Sequence, residues 1–350
     1  MNPGTGHWLA DKRKETILIL LPLFIPVLIV ILFSDYFSTH AEVTPGWWVL
    51  LVVLVDVSHV YSTLFRFYWE RNTFRKYKRV LIIIPVVAFG IGLSLHLYDS
   101  FLFWRILAYF ALYHFIRQQY GFLRLYSRNQ HQNRYGKLID SAAIYAATLY
   151  PVLYWHINLT AKLGWFVPND FVHLDMAWLE FPTLVIYVAI LLVYVIKELM
   201  ISRAYGFNTP KNAIVAGTFL SWYVGIVMFH GDLTFTLLNV VAHGIPYMGL
   251  VWLYGEKKGG RNFLPGFKGA IIFVGVVAAF AYFEEAIWDK MIWKDHPGLF
   301  PFATDLETIS HPLTISIVVA ILVLPQVTHY VLDGFIWRFS KDSSARIDNK

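Results

Sequence analysis

The sequence predicts an all-α protein, a polytopic bundle of about ten transmembrane helices with both termini in the cytoplasm. Three observations predict this fold class. Of the 350 residues, 57% are hydrophobic and only 15% are charged, whereas about a quarter of a typical soluble domain is charged. The apolar residues form runs of roughly 20 residues, the length that crosses a hydrocarbon core about 30 Å thick. Finally, Lys and Arg concentrate in every second loop.

Ten runs are long and apolar enough to be predicted as spans. In chain order they are residues 16–34, 46–68, 80–97, 101–124, 139–157, 182–202, 213–230, 233–255, 269–288 and 311–338. The first run is too long for the apolar segment of a signal peptide, so we expect a retained helix. No repeat or separate soluble domain is evident, so residues 1–350 are predicted to form a single integral-membrane domain. A transmembrane barrel is excluded because its strands are alternating segments of about ten residues.

The loop charges orient the spans. Most of the 29 Lys and Arg residues fall in the loops that a ten-span chain places on one side, whereas the opposite loops hold only Lys162, Lys290 and Lys294. The side rich in Lys and Arg is the cytoplasmic one. We therefore expect a multi-pass protein of a bacterial inner (plasma) membrane, with the lipid bilayer as its partner. Basic residues confined to short loops are not a nucleic-acid-binding face.

Four histidines lie deep inside the predicted spans: His59, His114, His243 and His329. All four are on even-numbered spans, which run in the same direction. The first charged residue of the predicted cytoplasmic boundary follows each histidine by 9 to 13 residues. At 1.5 Å per residue, their depths agree within about 6 Å. The four imidazoles are therefore predicted to meet at one level, as ligands of one metal centre.

Each histidine has polar neighbours three or four residues away, on the same helix face. Polar and ionisable residues within spans usually face the bundle interior and serve function. We predict that Asp56, Asp333 and Arg117 act in catalysis, the two aspartates as ligands or as groups that orient the histidines. Three amides are predicted to contact the bound cofactor: Gln118, Asn239 and Gln326.

Other interpretations of these histidines remain open. They can serve as interhelical hydrogen-bonding groups, each worth about 0.6 kcal/mol. They can form the proton relay of a transporter, or bind b-type haem between facing helices. The sequence has no Cys, which excludes thiolate ligands. It has no HExxH helix, which argues against a zinc protease of that kind.

The stretches Asp56-Val57-Ser58-His59 and His243-Gly244, set in a multi-spanning protein, resemble the Brp/Blh-type bacterial β-carotene dioxygenases. The resemblance implies non-haem iron held by intramembrane histidines. The family's His-Gly-x-x-Asp-His pattern is absent, because His243-Gly244 is followed by Ile-Pro-Tyr-Met, so no catalytic role is carried over.

The function expected from these observations is that of a membrane-embedded metalloenzyme. Histidine and carboxylate ligands with open positions suit non-haem iron, and suit zinc almost as well. We predict a transition metal, iron rather than zinc, in an oxidoreductase of the oxygenase type. A site within the bilayer implies a lipophilic substrate, such as a lipid, a fatty-acyl chain or an isoprenoid, and an electron donor as a further partner.

Overall fold

The computed structural model describes residues 6–158, 165–258, 263–296, 298–303 and 309–336. Within these ranges the chain is predominantly helical and contains no β-strand. This agrees with the predicted all-α fold class. Two parts of the predicted charge pattern lie outside the described residues: the basic C-terminal segment, residues 337–350, and Lys162.

Within the described residues, ten long helices follow one another. We label them α1 (Lys12–Leu32), α2 (Pro45–Tyr68), α3 (Arg71–Tyr98), α4 (Ser100–Tyr126), α5 (Arg134–Ile157), α6 (Ala177–Tyr205), α7 (Thr209–Met228), α8 (Asp232–Lys258), α9 (Gly266–Trp293) and α10 (Pro312–Gly334). Each predicted span coincides with one of these helices.

Eight of the ten helices are long and apolar enough to cross a membrane. The other two, α4 and α5, have sufficient length but are less apolar than the rest. Helix α4 carries His114, Arg117, Gln118 and Gln119 in its middle, and α5 is rich in tyrosine. Multi-pass membrane character therefore follows from the eight helices.

Several helix starts are explained by side chains that accept the first free backbone N–H groups. Asp11 accepts from the backbone N–H of Lys14 at 2.8 Å before α1, and Asn208 accepts from Lys211 at 3.2 Å before α7. Glu70 accepts from the backbone N–H of Thr73 at 2.7 Å and from its hydroxyl. Partial burial acts to raise the pKa of the Glu70 carboxyl, but these hydrogen bonds, together with the charge of Lys258 and the N–H of Asn72, outweigh it and the pKa lies below its usual value.

Some helices contain wider π-helical turns, which often occur at functional sites. Three such stretches belong to helices that carry the predicted ligands. They are Val49–Val57 and Leu64–Tyr68 in α2, and Thr236–Val240 in α8. The first ends two residues before His59, and the last ends three residues before His243.

The described chain divides into two compact units. One comprises the described residues of 1–43 and 112–246. In it α5 packs on α6 and α7, and α7 packs on α1. Gly217 permits the close approach of α7 to α1, because a Cβ there would lie 2.6 Å from the Cβ of Leu23.

The other unit comprises residues 44–111 and the described residues of 247–336. Helix α9 packs on α2, and α10 packs on both α3 and α2. Apolar side chains of α3 such as Ile83, Val86 and Ile91 are exposed, as expected for a helix that faces lipid.

Candidate metal centre

His114 on α4 and His243 on α8 face each other directly. Their Nε2 atoms are 3.1 Å apart, and their ring planes are nearly perpendicular, at 87°. The ring of Phe115 stacks on the His243 imidazole, with centroids 3.8 Å apart and planes within 8°. Both histidines are buried. The fold thus places the Nε2 atoms of two buried histidines side by side, next to the ring of Phe115.

The chain around His243 explains why its helix is held there. Pro246 has no N–H, so the carbonyl of Ala242, four residues earlier, lacks its usual helical partner. The side-chain amide of Gln119 approaches that carbonyl at 3.4 Å, and the amide of Gln118 donates to the carbonyl of His243 at 2.8 Å. Thr218 in turn donates to Gln119 at 3.2 Å. Polar groups of α4 and α7 therefore support the broken turn that presents His243.

His59 on α2 and His329 on α10 form a second pair. Their ring centroids are 4.8 Å apart, with an interplanar angle of 80°. The Oγ1 atom of Thr63 lies 2.7 Å from Nδ1 of His329, which leaves Nε2 as the nitrogen for a ligand bond. Tyr247 presents its ring at nearly a right angle to both imidazoles, with centroids 6.0 Å from His59 and 4.8 Å from His329.

The four predicted metal ligands lie together. One ligand nitrogen from each of the four histidines is within 4.8 Å of the others, and all four residues are buried. Four ligands placed tetrahedrally about 2.1 Å from an ion are about 3.4 Å apart, whereas two ligands on opposite sides of an octahedral ion are about 4.2 Å apart. The observed limit of 4.8 Å is larger than either distance, so the imidazoles would move closer together to share one ion.

Two carboxylates accompany the histidines. Asp56 lies one turn before His59 on α2, and its Oδ1 is 3.6 Å from Nδ1 of His59, just beyond hydrogen-bond distance. Its side chain is 32% exposed. Asp333 follows His329 by one turn on α10 and is buried. The predicted roles of the two aspartates, as ligands or as groups that orient the histidines, remain predictions.

The other predicted site residues have varied surroundings. Arg117 donates to the hydroxyl of Tyr145, and its guanidinium lies 4.8 Å from the ring centroid of Tyr120. Asn239 donates to the carbonyl of Phe235 at 3.2 Å. Gln118 contacts the backbone of His243, as described above, and Gln326 is half-buried one turn before His329. For Arg117, Gln118 and Asn239, the structure thus shows contacts to the protein itself.

Some residues around the histidines were not predicted from the sequence. Thr63, Tyr247, Phe115 and Gln119 each touch a histidine or the backbone that carries one. Thr63 had a usable signal, because it follows His59 by four residues on the same helix face. Tyr247 likewise follows His243 by four residues, but tyrosine and phenylalanine are abundant throughout the chain, so the spacing alone does not single it out.

A second buried polar cluster, also not predicted, joins α5, α6 and α7. We call it the ion quartet: Asp140, Lys197, Glu198 and Lys211. Each lysine contacts both carboxylates; Nζ of Lys197 is 2.5 Å from Glu198 Oε1, and Nζ of Lys211 is 3.3 Å from Asp140 Oδ1. Asn212 donates to the other oxygen of Glu198 at 2.9 Å. The two positive and two negative charges balance.

Outside the spans, the loop before α6 is folded around one carboxylate. Oδ2 of Asp170 accepts from the backbone N–H groups of Trp165 and Phe166 at 2.9 and 2.8 Å. Burial raises the pKa of Asp170 above its usual value, although these hydrogen bonds act in the opposite direction. The ring of Trp165 lies 5.3 Å from Phe115, so this loop packs behind the residue that stacks on His243.

Comparison of the chain with protein-family models, with curated proteins and with solved structures finds no match.

Proposed function

We propose that this protein is a membrane-embedded metalloenzyme in which His59, His114, His243 and His329 bind a transition-metal ion. The observation that carries the proposal is the mutual distance of their nitrogens, all within 4.8 Å. Interhelical hydrogen bonding, which needs only pairs of polar residues, does not explain why four imidazoles lie so close together. Neutral imidazole is a common metal ligand, and a shared ion explains the gathering.

The carboxylates support a divalent cation. Four neutral imidazoles leave the charge of the ion uncompensated, and an uncompensated charge within a bilayer is costly. Asp56 and Asp333, each one turn from a ligand histidine, supply two negative charges on the same helices. We propose that they balance the ion and orient or complete its ligand set. Arg117 remains a proposed participant in catalysis.

The geometry favours a single ion over b-type haem. Axial ligands of a haem stand on opposite faces of the porphyrin, about 4 Å apart if each bond is about 2 Å long. The Nε2 atoms of His114 and His243 are 3.1 Å apart. These two nitrogens are therefore closer together than the two axial ligands of one haem, whereas both could bind one small ion.

The proposed metal is iron and the proposed reaction an oxidation. Histidine and carboxylate ligands with open positions are the ligand set of non-haem iron oxygenases. Iron held by these residues would supply O2 activation at an open coordination position, with electrons from a separate donor. Zinc in the same ligand set would instead generate hydroxide for hydrolysis.

A lipophilic substrate is supported by an apolar cleft in the unit that holds His59 and His329. The cleft has a volume of about 380 Å³ and lies among α3, α4 and α10. Its lining is entirely apolar and includes Ile84, Ala88, Leu107, Phe110, Val327 and Val331. The ring of Phe110 contacts Tyr330, the neighbour of His329, with centroids 5.5 Å apart. We propose that a hydrocarbon chain of a membrane lipid or an isoprenoid enters here.

Elemental analysis and a spectrum of detergent-purified protein test the proposed function. We expect about one equivalent of iron per chain, and oxygen consumption when the reduced protein is mixed with lipids or isoprenoids. If the protein instead contains one equivalent of zinc, the proposed reaction becomes hydrolysis rather than oxidation. Less than about half an equivalent of any transition metal, after supplementation with iron and zinc, would contradict it. Metal-independent uptake by proteoliposomes would then favour a transporter.

We also propose ten spans, with both termini in the cytoplasm of a bacterial inner membrane. The chain contains no Cys, so a single introduced Cys reports its own position without background. Lys137→Cys, in the exposed first turn of α5, should react with an impermeant thiol reagent only after the membrane is opened. Asp175→Cys, exposed in the next loop, should react in intact cells. The reverse pattern, or equal labelling, would contradict the proposed orientation.

A further inference from the structure

Glu284 on α9 is a carboxylate buried within a membrane-spanning helix, with only 5% of its surface exposed. Both of its oxygens accept hydrogen bonds. The hydroxyl of Tyr61 on α2 donates to Oε2, and the indole N–H of Trp288, one turn along α9, donates to Oε1 at 3.2 Å. Charged groups within spans are costly and usually functional. A carboxylate that is buried within a span, with both oxygens accepting hydrogen bonds, therefore points to a specific role for Glu284.

The partner of Glu284 lies two residues from a proposed metal ligand. Tyr61 follows His59 on α2, and its ring also stacks on Phe280 of α9, with centroids 5.3 Å apart. Phe280 precedes Glu284 by one helical turn. The side chain of Tyr61 is thus fixed at its ring and at its hydroxyl by two residues of the same neighbouring helix.

The face of α2 that carries Tyr61 is the face packed on α9. Val53 and Val57 share a buried cluster with Ala281, against which Tyr61 also packs. These α2 residues are spaced by four, so they lie along one side of the helix. His59 is two residues from both Val57 and Tyr61, about 200° around the helix, and therefore points away from α9. Its ring meets His329 and Tyr247 instead.

This arrangement makes the rotation of α2 dependent on its contact with α9. Val53, Val57 and Ala281 form a smooth apolar contact that tolerates small rotations. The hydrogen bond between Tyr61 and Glu284 is directional and limits them. A rotation of α2 that breaks it also moves His59, on the opposite face of the same helix, and Asp56, one turn before His59.

We propose that Glu284 is a positioning residue of the metal centre. By holding Tyr61 it fixes the rotation of α2 and thereby the direction in which His59 and Asp56 are presented. The inference rests on the proposed function, because it assumes that His59 binds a metal. Groups that orient metal ligands typically change metal affinity by 10- to 100-fold when they are removed.

The test uses the full-length protein loaded with Co²⁺, whose visible spectrum reports ligand number and geometry. The variants are Glu284→Ala, Glu284→Gln and Tyr61→Phe. The matched control is Lys268→Gln, which alters an exposed charged residue of α9. We expect Glu284→Ala and Tyr61→Phe to weaken Co²⁺ binding by about 10- to 100-fold and to change the visible bands. Glu284→Gln retains an acceptor for Tyr61 and should restore most of the affinity, while Lys268→Gln should match the wild type.

The outcomes separate this inference from the proposed function. If the wild-type protein binds no Co²⁺, iron or zinc, the proposed metal centre fails and the inference falls with it. If the wild type binds Co²⁺ but Tyr61→Phe leaves affinity and spectrum unchanged, only the role of Glu284 is overturned. Tyr61→Phe decides the question even if Glu284→Ala does not fold, because it removes a single hydroxyl group.

Discussion

Replacement of His329 by alanine is expected to lower the metal affinity of the protein by more than 100-fold. Loss of a group that only orients a ligand costs about 10- to 100-fold, and His329 is itself a proposed ligand. The substitution removes one of four nitrogens from a buried set and also leaves Thr63 without its ring partner. Metal content after dialysis against a graded series of chelator concentrations measures the effect.

Alanine at His59, His114 or His243 should produce a loss of the same order, because one nitrogen from each of the four histidines lies within 4.8 Å of the others. His156→Ala is the matched control. His156 is also a buried histidine, but its Nδ1 contacts the carbonyl of Val152 at 2.7 Å on its own helix. Retention of metal by all four ligand variants, or an equal loss in His156→Ala, would remove the basis for the metal centre.

Replacement of Lys211 by methionine is expected to destabilise the protein by about 3–5 kcal/mol. Lys211 is fully buried within the ion quartet and contacts both Asp140 and Glu198. Without it, two buried carboxylates share the single ammonium of Lys197. The loss of a partner leaves a buried charge uncompensated, which costs much more than the pair contributes when intact. Thermal or denaturant unfolding in detergent, followed by circular dichroism, measures the change.

Two further variants show whether charge balance is the cause. Lys268→Met removes an exposed lysine of α9 and should change stability by no more than about 0.5 kcal/mol. The double variant Lys211→Met with Glu198→Leu leaves Lys197 paired with Asp140, so it should be more stable than Lys211→Met alone. Equal stability of Lys211→Met and Lys268→Met would show that the quartet does not stabilise the fold.

The sequence predicted the helices well because their cause is local. A run of about 20 apolar residues satisfies its backbone only as a helix within lipid, whatever its neighbours are. Each predicted span therefore became a helix, with ends displaced where capping groups such as Glu70 extend it. Helix α3 begins at Arg71 rather than near residue 80, because its first two turns are polar and carry no hydropathy signal.

The candidate site was predictable only in part. The depth of His59, His114, His243 and His329 follows from counting residues, since each helix advances 1.5 Å per residue. Their gathering within 4.8 Å depends on helix rotation and packing, which no single helix determines. The ion quartet was missed for a related reason. Lys197 and Glu198 are near the end of a predicted span, where a charged residue usually reaches water, and only packing against Asp140 and Lys211 buries them.

The π-helical stretches before His59 and His243 have a consequence for how such a protein changes over generations. Each wide turn holds one residue more than an α-helical turn, because its hydrogen bond spans five residues rather than four. Deleting one codon there would rotate one part of the helix against the other by about 100°. Conversely, one-codon insertions in an ordinary bundle can swing polar side chains inward without changing their identity. The wide turns before His59 and His243 are therefore the places where a change of one codon would turn each imidazole away from its present partners.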